Sequence, residues 1–413
     1  MKAGGPLLAT AIGSLLAAGA LGFSQFNFGA VKTQNLDLSK WKHRVEAFDA
    51  QSFVPSQNWL GLASNQHWQT IVATGALRKV LFGVELQRSF DVHSKLIKTS
   101  DGDEHEAEFT VNHFDSKDLD DIGGDEVIAK KDISTPIVVL LHGLEANAKG
   151  TLMTKMCEEY TKVGFGCVLV SFRGCNGTEN KRVGAYHLGF TQDLDQLTAF
   201  LKKKYPNRPI YLSGFSLGGN VSLKFLGELG DKAVMDRNIQ GAVTMSVPFD
   251  LVESGAKIDK GFNKVIYAGN FLRTLIKKAE KQHAMLEGKV PYDIEVIKRC
   301  RTIGDFDDAF IAKIYGFKDK FDYYRQSQAK SWLHKIRVPC VNINAIDDPF
   351  IEASSLPNEE HVQEAPVRLI YTQSGGHCGF VDVNNNDRWI AQEMARALLH
   401  IHEGYGAINT MKA

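Results

Sequence analysis

Ser216 lies at the centre of residues 214–218, Gly-Phe-Ser-Leu-Gly, which have the pattern G-x-S-x-G. The apolar run 210–212 precedes this pattern, and residues 221–229 follow it with apolar side chains at helical spacing, up to Gly230. A serine on a strand-to-helix turn this tight needs small neighbours, because side chains at the flanking positions would collide. The segment therefore predicts a nucleophile elbow, in which the serine hydroxyl is lifted clear of a sheet.

Strands and helices alternate around this elbow. Short apolar runs typical of buried parallel strands occur at 137–141, 166–170, 210–212, 241–245, 338–343 and 367–371. Phe190, Leu194, Leu197 and Leu201 mark one face of a helix between two of them. Such alternation predicts an α/β fold with a mostly parallel, doubly wound sheet.

The chain divides into four parts. Residues 1–30 are predicted to form a hydrophobic anchor or targeting segment, and residues 31–90 an N-terminal helical extension. The α/β core is predicted at 91–249 and 336–405, and it begins with a β-hairpin across Asp101-Gly102. Residues 250–335 interrupt the core as an inserted, charged, helical lid over the carboxyl ends of the strands.

The N-terminal segment carries no charge from Pro6 to Phe23. Its length fits either a single membrane anchor or the core of a cleaved targeting peptide, and a buried helix is a weaker third interpretation. We therefore expect a membrane-associated or organelle-targeted protein.

The lid contains a basic amphipathic stretch at 260–281. Lysines and one arginine form its charged face, and its apolar residues are Val265, Leu272, Leu275 and Ile276. Two interpretations remain open for this stretch. It contacts an anionic membrane surface, or it is a solvated helix packed on the domain, which is the commoner case and the preferred one.

Composition excludes several functions. Lys plus Arg and Asp plus Glu number 48 each, so no overall positive field favours binding to nucleic acid. The six cysteines show no paired spacing and are expected to be reduced and buried. No zinc, nucleotide or Walker-type motif is present in the sequence, so we predict neither a metal nor a cofactor.

A serine nucleophile needs a histidine base and an acid that orients it, in the chain order Ser, acid, His for this fold. The strand ending at Ala345 leads into Asp347-Asp348-Pro349, and Asp348 is preferred as the acid, with Asp347 as the alternative. The candidate base is His377, which follows the next strand on a loop framed by glycines. Ser216, Asp348 and His377 are thus the predicted catalytic triad.

The oxyanion formed during acyl transfer needs two backbone N–H donors. The amide of Leu217, directly after the nucleophile, is the first candidate. The second is the amide of Leu144, in the loop His142-Gly143-Leu144 that follows strand 137–141. His142 itself is expected to brace this loop and to carry no proton in the reaction.

Several further stretches resemble one branch of the α/β-hydrolase superfamily. This branch, the AB hydrolase 4 family, groups YheT-like esterases with medium-chain ester synthases and phospholipase-like hydrolases. The matching stretches, in chain order, are 65–71 (N-Q-H-W-Q-T-I), 142–145 (H-G-L-E), 172–177 (F-R-G-C-N-G), 186–189 (Y-H-L-G), 305–307 (D-F-D), 322–324 (D-Y-Y), 347–350 (D-D-P-F) and 375–377 (G-G-H). The resemblance implies an α/β-hydrolase fold with an inserted lid and an N-terminal extension. It also implies Asp348 as the acid, His377 as the base, medium-chain or lipid acyl esters as substrates and association of many members with membranes.

Three functions are consistent with these residues. The first is hydrolysis of carboxylic esters through an acyl-enzyme on Ser216. The second is transfer of the same acyl group to an alcohol, which uses the same triad. A non-catalytic scaffold of the same fold is disfavoured, because nucleophile, acid, base and oxyanion loop all stand in the expected order.

Overall fold

A computed structural model describes residues 38–55, 64–74, 88–122, 124, 127–384 and 387–410. The predicted anchor or targeting segment, residues 1–30, lies outside the described residues. Within the described ranges, no helix combines the length and the apolar character that crossing a membrane requires.

The core is a sheet of eight strands. The strands are β1 (Val92–Lys98), β2 (Glu104–Thr110), β3 (Ile137–Leu141), β4 (Gly166–Ser171), β5 (Ile210–Phe215), β6 (Ile239–Met245), β7 (Cys340–Ala345) and β8 (Val367–Thr372). Their spatial order is β1-β2-β4-β3-β5-β6-β7-β8. β1 and β2 form the predicted antiparallel hairpin, β2 also pairs antiparallel with β4, and the remaining pairs are parallel. The predicted mostly parallel sheet is confirmed.

Helices cover the sheet and form the lid. They are α1 (Leu38–Glu46), α2 (Gln66–Thr74), α3 (Thr151–Lys162), α4 (Gln192–Lys204), α5 (Leu217–Leu229), α6 (Lys232–Arg237), α7 (Leu251–Ile258), α8 (Gly261–Asn263), α9 (Gly269–Met285), α10 (Ile294–Lys298), α11 (Ile303–Phe306), α12 (Ala312–Tyr315), α13 (Lys320–Ser327), α14 (Glu359–Val362) and α15 (Trp389–Thr410). Short 3₁₀ turns occur at Ser116–Leu119, Ala329–Lys335 and Ala353–Ser355, and π-helical turns at Lys264–Ala268 and Asp307–Ile311.

Two apolar layers flank the sheet because successive residues of a strand point to opposite faces. In β3, Val139 belongs to the layer formed with α4, α5 and α6, whereas Val138 and Leu140 belong to the layer formed with α3 and α15. Burial of both faces explains why these strands are continuously apolar.

The lid, α7 to α13, has an apolar core of its own. The prediction that Val265 shares the packed face of the basic stretch is wrong, since its side chain is 74% exposed whereas Leu272 is buried. Val265 lies within the π-helical turn Lys264–Ala268, directly before the helix α9 that carries Leu272. Because a π-helical turn adds a residue to the helix, it rotates Val265 out of phase with the face that packs.

The N-terminal extension packs on the core. Val45 of α1 is part of the apolar layer beneath α15, and Arg44 donates two hydrogen bonds to the carbonyl of His400. The helix α2 lies against the loop that follows β8, where Gln69 is bonded to Val381. The extension therefore contacts a loop that carries a predicted site residue.

The packing of α5 on the turn Ala329–Lys335 provides a test of the fold. A Cβ atom at Gly227 would lie 2.6 Å from both the Cβ and the carbonyl oxygen of Trp332. We therefore expect Gly227→Ala to lower the free energy of unfolding by about 1–3 kcal/mol, although alanine is the better helix former. Thermal denaturation followed by circular dichroism measures the change.

Gly269→Ala in α9 is the matched control. The nearest atom to a Cβ there is the Lys264 carbonyl oxygen at 3.4 Å, an ordinary contact. We expect no loss of stability from this change. A melting temperature for Gly227→Ala equal to or above that of Gly269→Ala would contradict the packing described.

Candidate active site

Ser216 lies at the junction of β5 and α5 with the backbone angles φ 54° and ψ −123°. A Cβ at Gly214 would lie 2.5 Å from the carbonyl carbon of Gly218, and a Cβ at Gly218 would overlap the carbonyl oxygen of Leu141. Both glycines are therefore required for the close approach of β3, β5 and α5. The turn holds Ser216 at the amino end of α5, at the carboxyl edge of the sheet.

The structure brings Ser216, His377 and Asp348 into one hydrogen-bonded chain. His377 Nε2 lies 2.8 Å from Ser216 Oγ. On the other side of the ring, His377 Nδ1 lies 2.9 Å from Asp348 Oδ2 and 3.2 Å from Oδ1. This is the geometry of a serine whose proton passes to an imidazole that is oriented by a carboxylate.

Asp348 and Asp347 occupy different environments. Asp348 is fully buried, and its Oδ1 also accepts a hydrogen bond of 2.7 Å from the Phe350 amide. Asp347 Oδ1 is buried without a hydrogen-bond partner among the described residues. Burial and the neighbouring charge of Asp348 raise the pKa of Asp347 to about 7. The geometry therefore favours Asp348 over Asp347 as the partner of the histidine.

The loop 373–381, here called the histidine loop, is held by α2. Thr70 Oγ1 accepts a hydrogen bond of 2.8 Å from the His377 amide. The Gln69 side chain accepts from the Val381 amide at 2.6 Å and donates to the Val381 carbonyl at 3.1 Å. A Cβ at Gly376 would lie 2.7 Å from Thr70 Oγ1, so the glycine permits this approach. The sequence analysis assigned no role to Thr70 and Gln69 beyond their place in the resembling stretch 65–71.

Two opposing effects act on the pKa of His377. Burial disfavours the imidazolium, but the negative charge of Asp348 and the hydrogen bond to it outweigh burial and raise the pKa. The Phe350 ring lies 4.3 Å from the imidazole, measured between centroids, and covers it. His377 can therefore accept a proton, and the Asp348 carboxylate stabilises the resulting imidazolium.

The loop 142–146 borders Ser216, since a Cβ at Gly143 would lie 3.2 Å from the Cβ of Ser216. Leu144 and Leu217 both line the cavity above the serine. Leu217 is the first residue of α5, so its amide has no acceptor within the helix. His142 Nε2 accepts a hydrogen bond of 3.0 Å from the Phe172 amide, and burial lowers the pKa of His142 to about 4. His142 is therefore a neutral side chain that braces the loop.

The lid contacts this loop through Glu145, which has a positive φ of 56°. The Tyr186 hydroxyl accepts from the Glu145 amide at 2.8 Å and donates to its carboxylate at 2.7 Å. Lys278 of α9 donates to the same carboxylate oxygen at 2.7 Å. Tyr186 and Lys278 together fix the residue that follows Leu144.

The lid also contacts residues 346–351, here called the acid loop. Lys257 Nζ of α7 donates to the carbonyls of Asp348 at 3.1 Å and Ile351 at 2.7 Å. Asn263 donates to the Pro349 carbonyl at 2.6 Å. Lid side chains thus hold two of the three loops that surround Ser216.

A cavity of about 360 Å³ lies between the lid and the carboxyl edge of the sheet. Ser216 and His377 form part of its wall. Most of the remaining wall is apolar, and it includes Leu188, Leu251, Ile258, Phe271, Leu275, Ile303, Phe306, Ile311 and Phe350. An apolar cavity of this size with a few convergent polar groups is typical of a small-molecule site.

Comparison with known proteins identifies the fold family of this chain. A family model described as the alpha/beta hydrolase fold matches residues 136–382. The chain is 30% identical over 342 residues to YheT of Escherichia coli, a protein named provisionally as an esterase. The match covers 82% of this chain and 91% of YheT.

Two proteins of Saccharomyces cerevisiae are also similar. A monoacylglycerol lipase is 27% identical, with 68% of this chain and 62% of the lipase covered. The medium-chain fatty acid ethyl ester synthase/esterase 2 is 25% identical, with 64% of this chain and 62% of that protein covered. The chain thus spans less than two thirds of the length of these two relatives.

The contact between α2 and the histidine loop generates a prediction for Thr70→Val. This change keeps the shape of the side chain but leaves the His377 amide without its acceptor. We expect the rate of modification of Ser216 by a fluorophosphonate to fall about 10- to 100-fold, because small displacements of a reacting group are costly. Thr198→Val in α4, which removes a hydroxyl that donates to backbone carbonyls of its own helix, is the control. Equal rates for the two variants would contradict a positioning role for Thr70.

The pKa of His377 generates a second prediction. Asp348→Asn removes the negative charge beside the histidine and so lowers the pKa of His377. The rate at which a fluorophosphonate modifies Ser216 rises as His377 loses its proton, so this rise should occur at lower pH in the variant. The maximal rate should also fall, on the order of 10⁴-fold, because the imidazole loses its orienting partner. Asp347→Asn should retain most of the rate. A shift to higher pH, or equal losses in the two variants, would contradict the assignment of the acid.

Proposed function

Since the chain belongs to the α/β-hydrolase superfamily, in the branch of YheT-like esterases, we propose that it is a serine hydrolase that cleaves carboxylic esters with medium-chain or lipid acyl groups. The observation that carries this proposal is the hydrogen-bonded chain Ser216–His377–Asp348 in the wall of an apolar cavity.

The reaction follows from this geometry in two halves. Ser216 Oγ attacks the ester carbonyl carbon while its proton passes to His377 Nε2, and Asp348 stabilises the resulting imidazolium. The carbon–oxygen bond to the alcohol then breaks, and the alcohol leaves with the proton from His377. Water attacks the acyl-enzyme with His377 as the base, which releases the free acid and restores the Ser216 hydroxyl.

The amides of Leu144 and Leu217 are the proposed donors to the oxyanion that forms in each half of the reaction. Each such donor contributes about 10²- to 10³-fold to the rate. The bonds from Tyr186 and Lys278 to Glu145 support this role, because they fix the backbone directly after Leu144.

Acyl transfer to an alcohol is the second candidate function. The yeast relative named as an ethyl ester synthase/esterase favours it, since that name couples both reactions in one protein. The two reactions share the acyl-enzyme and differ in whether water or an alcohol attacks it. Incubation with a medium-chain acyl donor and excess ethanol, followed by product analysis, separates them, and formation of free acid alone excludes transfer.

The prediction for this function is that Ser216→Ala abolishes hydrolysis of p-nitrophenyl octanoate, with a loss of at least about 10³-fold. The melting temperature should remain nearly unchanged, because the hydroxyl is bonded to the His377 ring and to no other group of the described residues. Hydrolysis is followed by the release of p-nitrophenol.

Ser213→Ala is the control on the same strand. Ser213 Oγ is bonded to the Tyr160 hydroxyl at 2.7 Å in the buried layer, so its removal affects stability and not the reaction. Hydrolysis that persists in Ser216→Ala at the wild-type rate would show that another nucleophile acts.

A further inference from the structure

Asp307 is a carboxyl group in the lid wall of the cavity. It begins the π-helical turn Asp307–Ile311, is only 6% exposed and lines the same cavity as Ser216 and His377. Its neighbours in the wall, Phe306 and Ile311, are apolar. Because burial of a carboxyl group among apolar side chains is costly, its presence in this wall needs a reason.

Only part of the hydrogen-bonding capacity of Asp307 is used. The Tyr324 hydroxyl donates to Oδ2 at 2.6 Å, and no donor in the described parts of the chain reaches Oδ1. Burial raises the pKa of Asp307 to about 7, the charges of Asp259 and Asp308 act in the same direction, and Lys320 opposes them. Asp259, by contrast, accepts from the amides at 303 and 304 at 2.8 Å each.

Ser254 of α7 is a second polar group with unused capacity. It lines the same cavity, and its buried Oγ has no hydrogen-bond partner among the residues that the structure describes. The helix α7 packs directly on Tyr324, since a Cβ at Gly255 would lie 3.0 Å from the ring. The helix that carries Ser254 therefore contacts Tyr324, as Asp307 does, and both line one part of the lid wall.

We propose that Asp307, Ser254 and Tyr324 form a subsite that binds a hydroxyl group of the ester substrate. This inference rests on the proposed ester hydrolysis and specifies its substrate class as esters that carry a free hydroxyl, on the alcohol or on the acyl chain. A hydroxyl donates to Asp307 Oδ1 and accepts from Ser254 Oγ, so it satisfies both groups without adding a charge to an apolar wall. A substrate that carries a carboxylate would be repelled by the carboxylate of Asp307.

Four esters built on the skeleton of butyl octanoate test the subsite. They are butyl octanoate, 4-hydroxybutyl octanoate, butyl 8-hydroxyoctanoate and 4-(trimethylammonio)butyl octanoate. We expect the wild-type kcat/KM to be about tenfold or more higher for one hydroxy ester than for butyl octanoate, because the ester without a hydroxyl leaves buried polar groups unpaired. The preferred hydroxy ester identifies whether the hydroxyl comes from the alcohol or from the acyl chain.

Three variants connect this preference to the named residues. The measured quantity is the ratio of kcat/KM for the preferred hydroxy ester to kcat/KM for butyl octanoate. This ratio should fall to about twofold or less in Asp307→Leu and in Ser254→Ala. It should also decrease in Tyr324→Phe. Ser254→Ala keeps the test valid if Asp307→Leu does not fold, since it removes a hydroxyl that has no hydrogen-bond partner in the described ranges. Tyr292→Phe makes the same change as Tyr324→Phe within the lid core and should leave the ratio unchanged.

Two sets of results would overturn the subsite. Wild-type protein that hydrolyses butyl octanoate as fast as both hydroxy esters, or that prefers the trimethylammonio ester, would show that the wall does not select a hydroxyl. A ratio that stays at the wild-type value in Ser254→Ala and Tyr324→Phe would assign the selection to other residues. Absence of hydrolysis of all four esters would instead contradict the proposed function itself.

Discussion

The close approach of the backbone around Ser216 is the constraint on which the rest of the structure depends. Residues Gly214 and Gly218 allow β3, β5 and α5 to meet with no room for a side chain between them. Ser216 adopts a positive φ, which is strained for any residue other than glycine. The surrounding sheet must therefore be rigid enough to keep this turn in place. Burial of both faces of the sheet supplies that rigidity and fixes the edge at which the loops converge.

The lid and the N-terminal extension have a structural role in addition to covering the cavity. One side chain of the lid bonds to Glu145, in the loop that borders Ser216, and another bonds to the backbone of the acid loop, while Thr70 accepts a hydrogen bond from the amide of His377. Each of these loops is held by a segment that lies outside the α/β core. Because pre-organised donors and a fixed base lower the cost of reaching the transition state, the geometry of the site depends on these inserted segments as well as on the sheet.

Local patterns predicted the elements of the core well, because a strand, a tight turn and a helix each leave a signal within about ten residues. Ser216 and His377 were predicted from such signals. The partners of the histidine loop were not, since Thr70 is 307 residues away from His377 and no periodicity marks it. The segment 115–132 is rich in aspartate around Gly123-Gly124, a composition that predicts a solvated loop, but Leu119 and Ile122 within it are buried. The charge around these two residues concealed their packing. The two π-helical turns in the lid had no sequence signal at all.

The central claim is that the hydroxyl of Ser216 becomes acylated. The most direct test is mass spectrometry of the protein after brief incubation with p-nitrophenyl octanoate and an acid quench. We predict one added octanoyl group, found on the peptide that contains Ser216 and absent from Ser216→Ala. Protein that turns over the ester without acquiring this group on Ser216, or that carries it on another residue, would contradict the account.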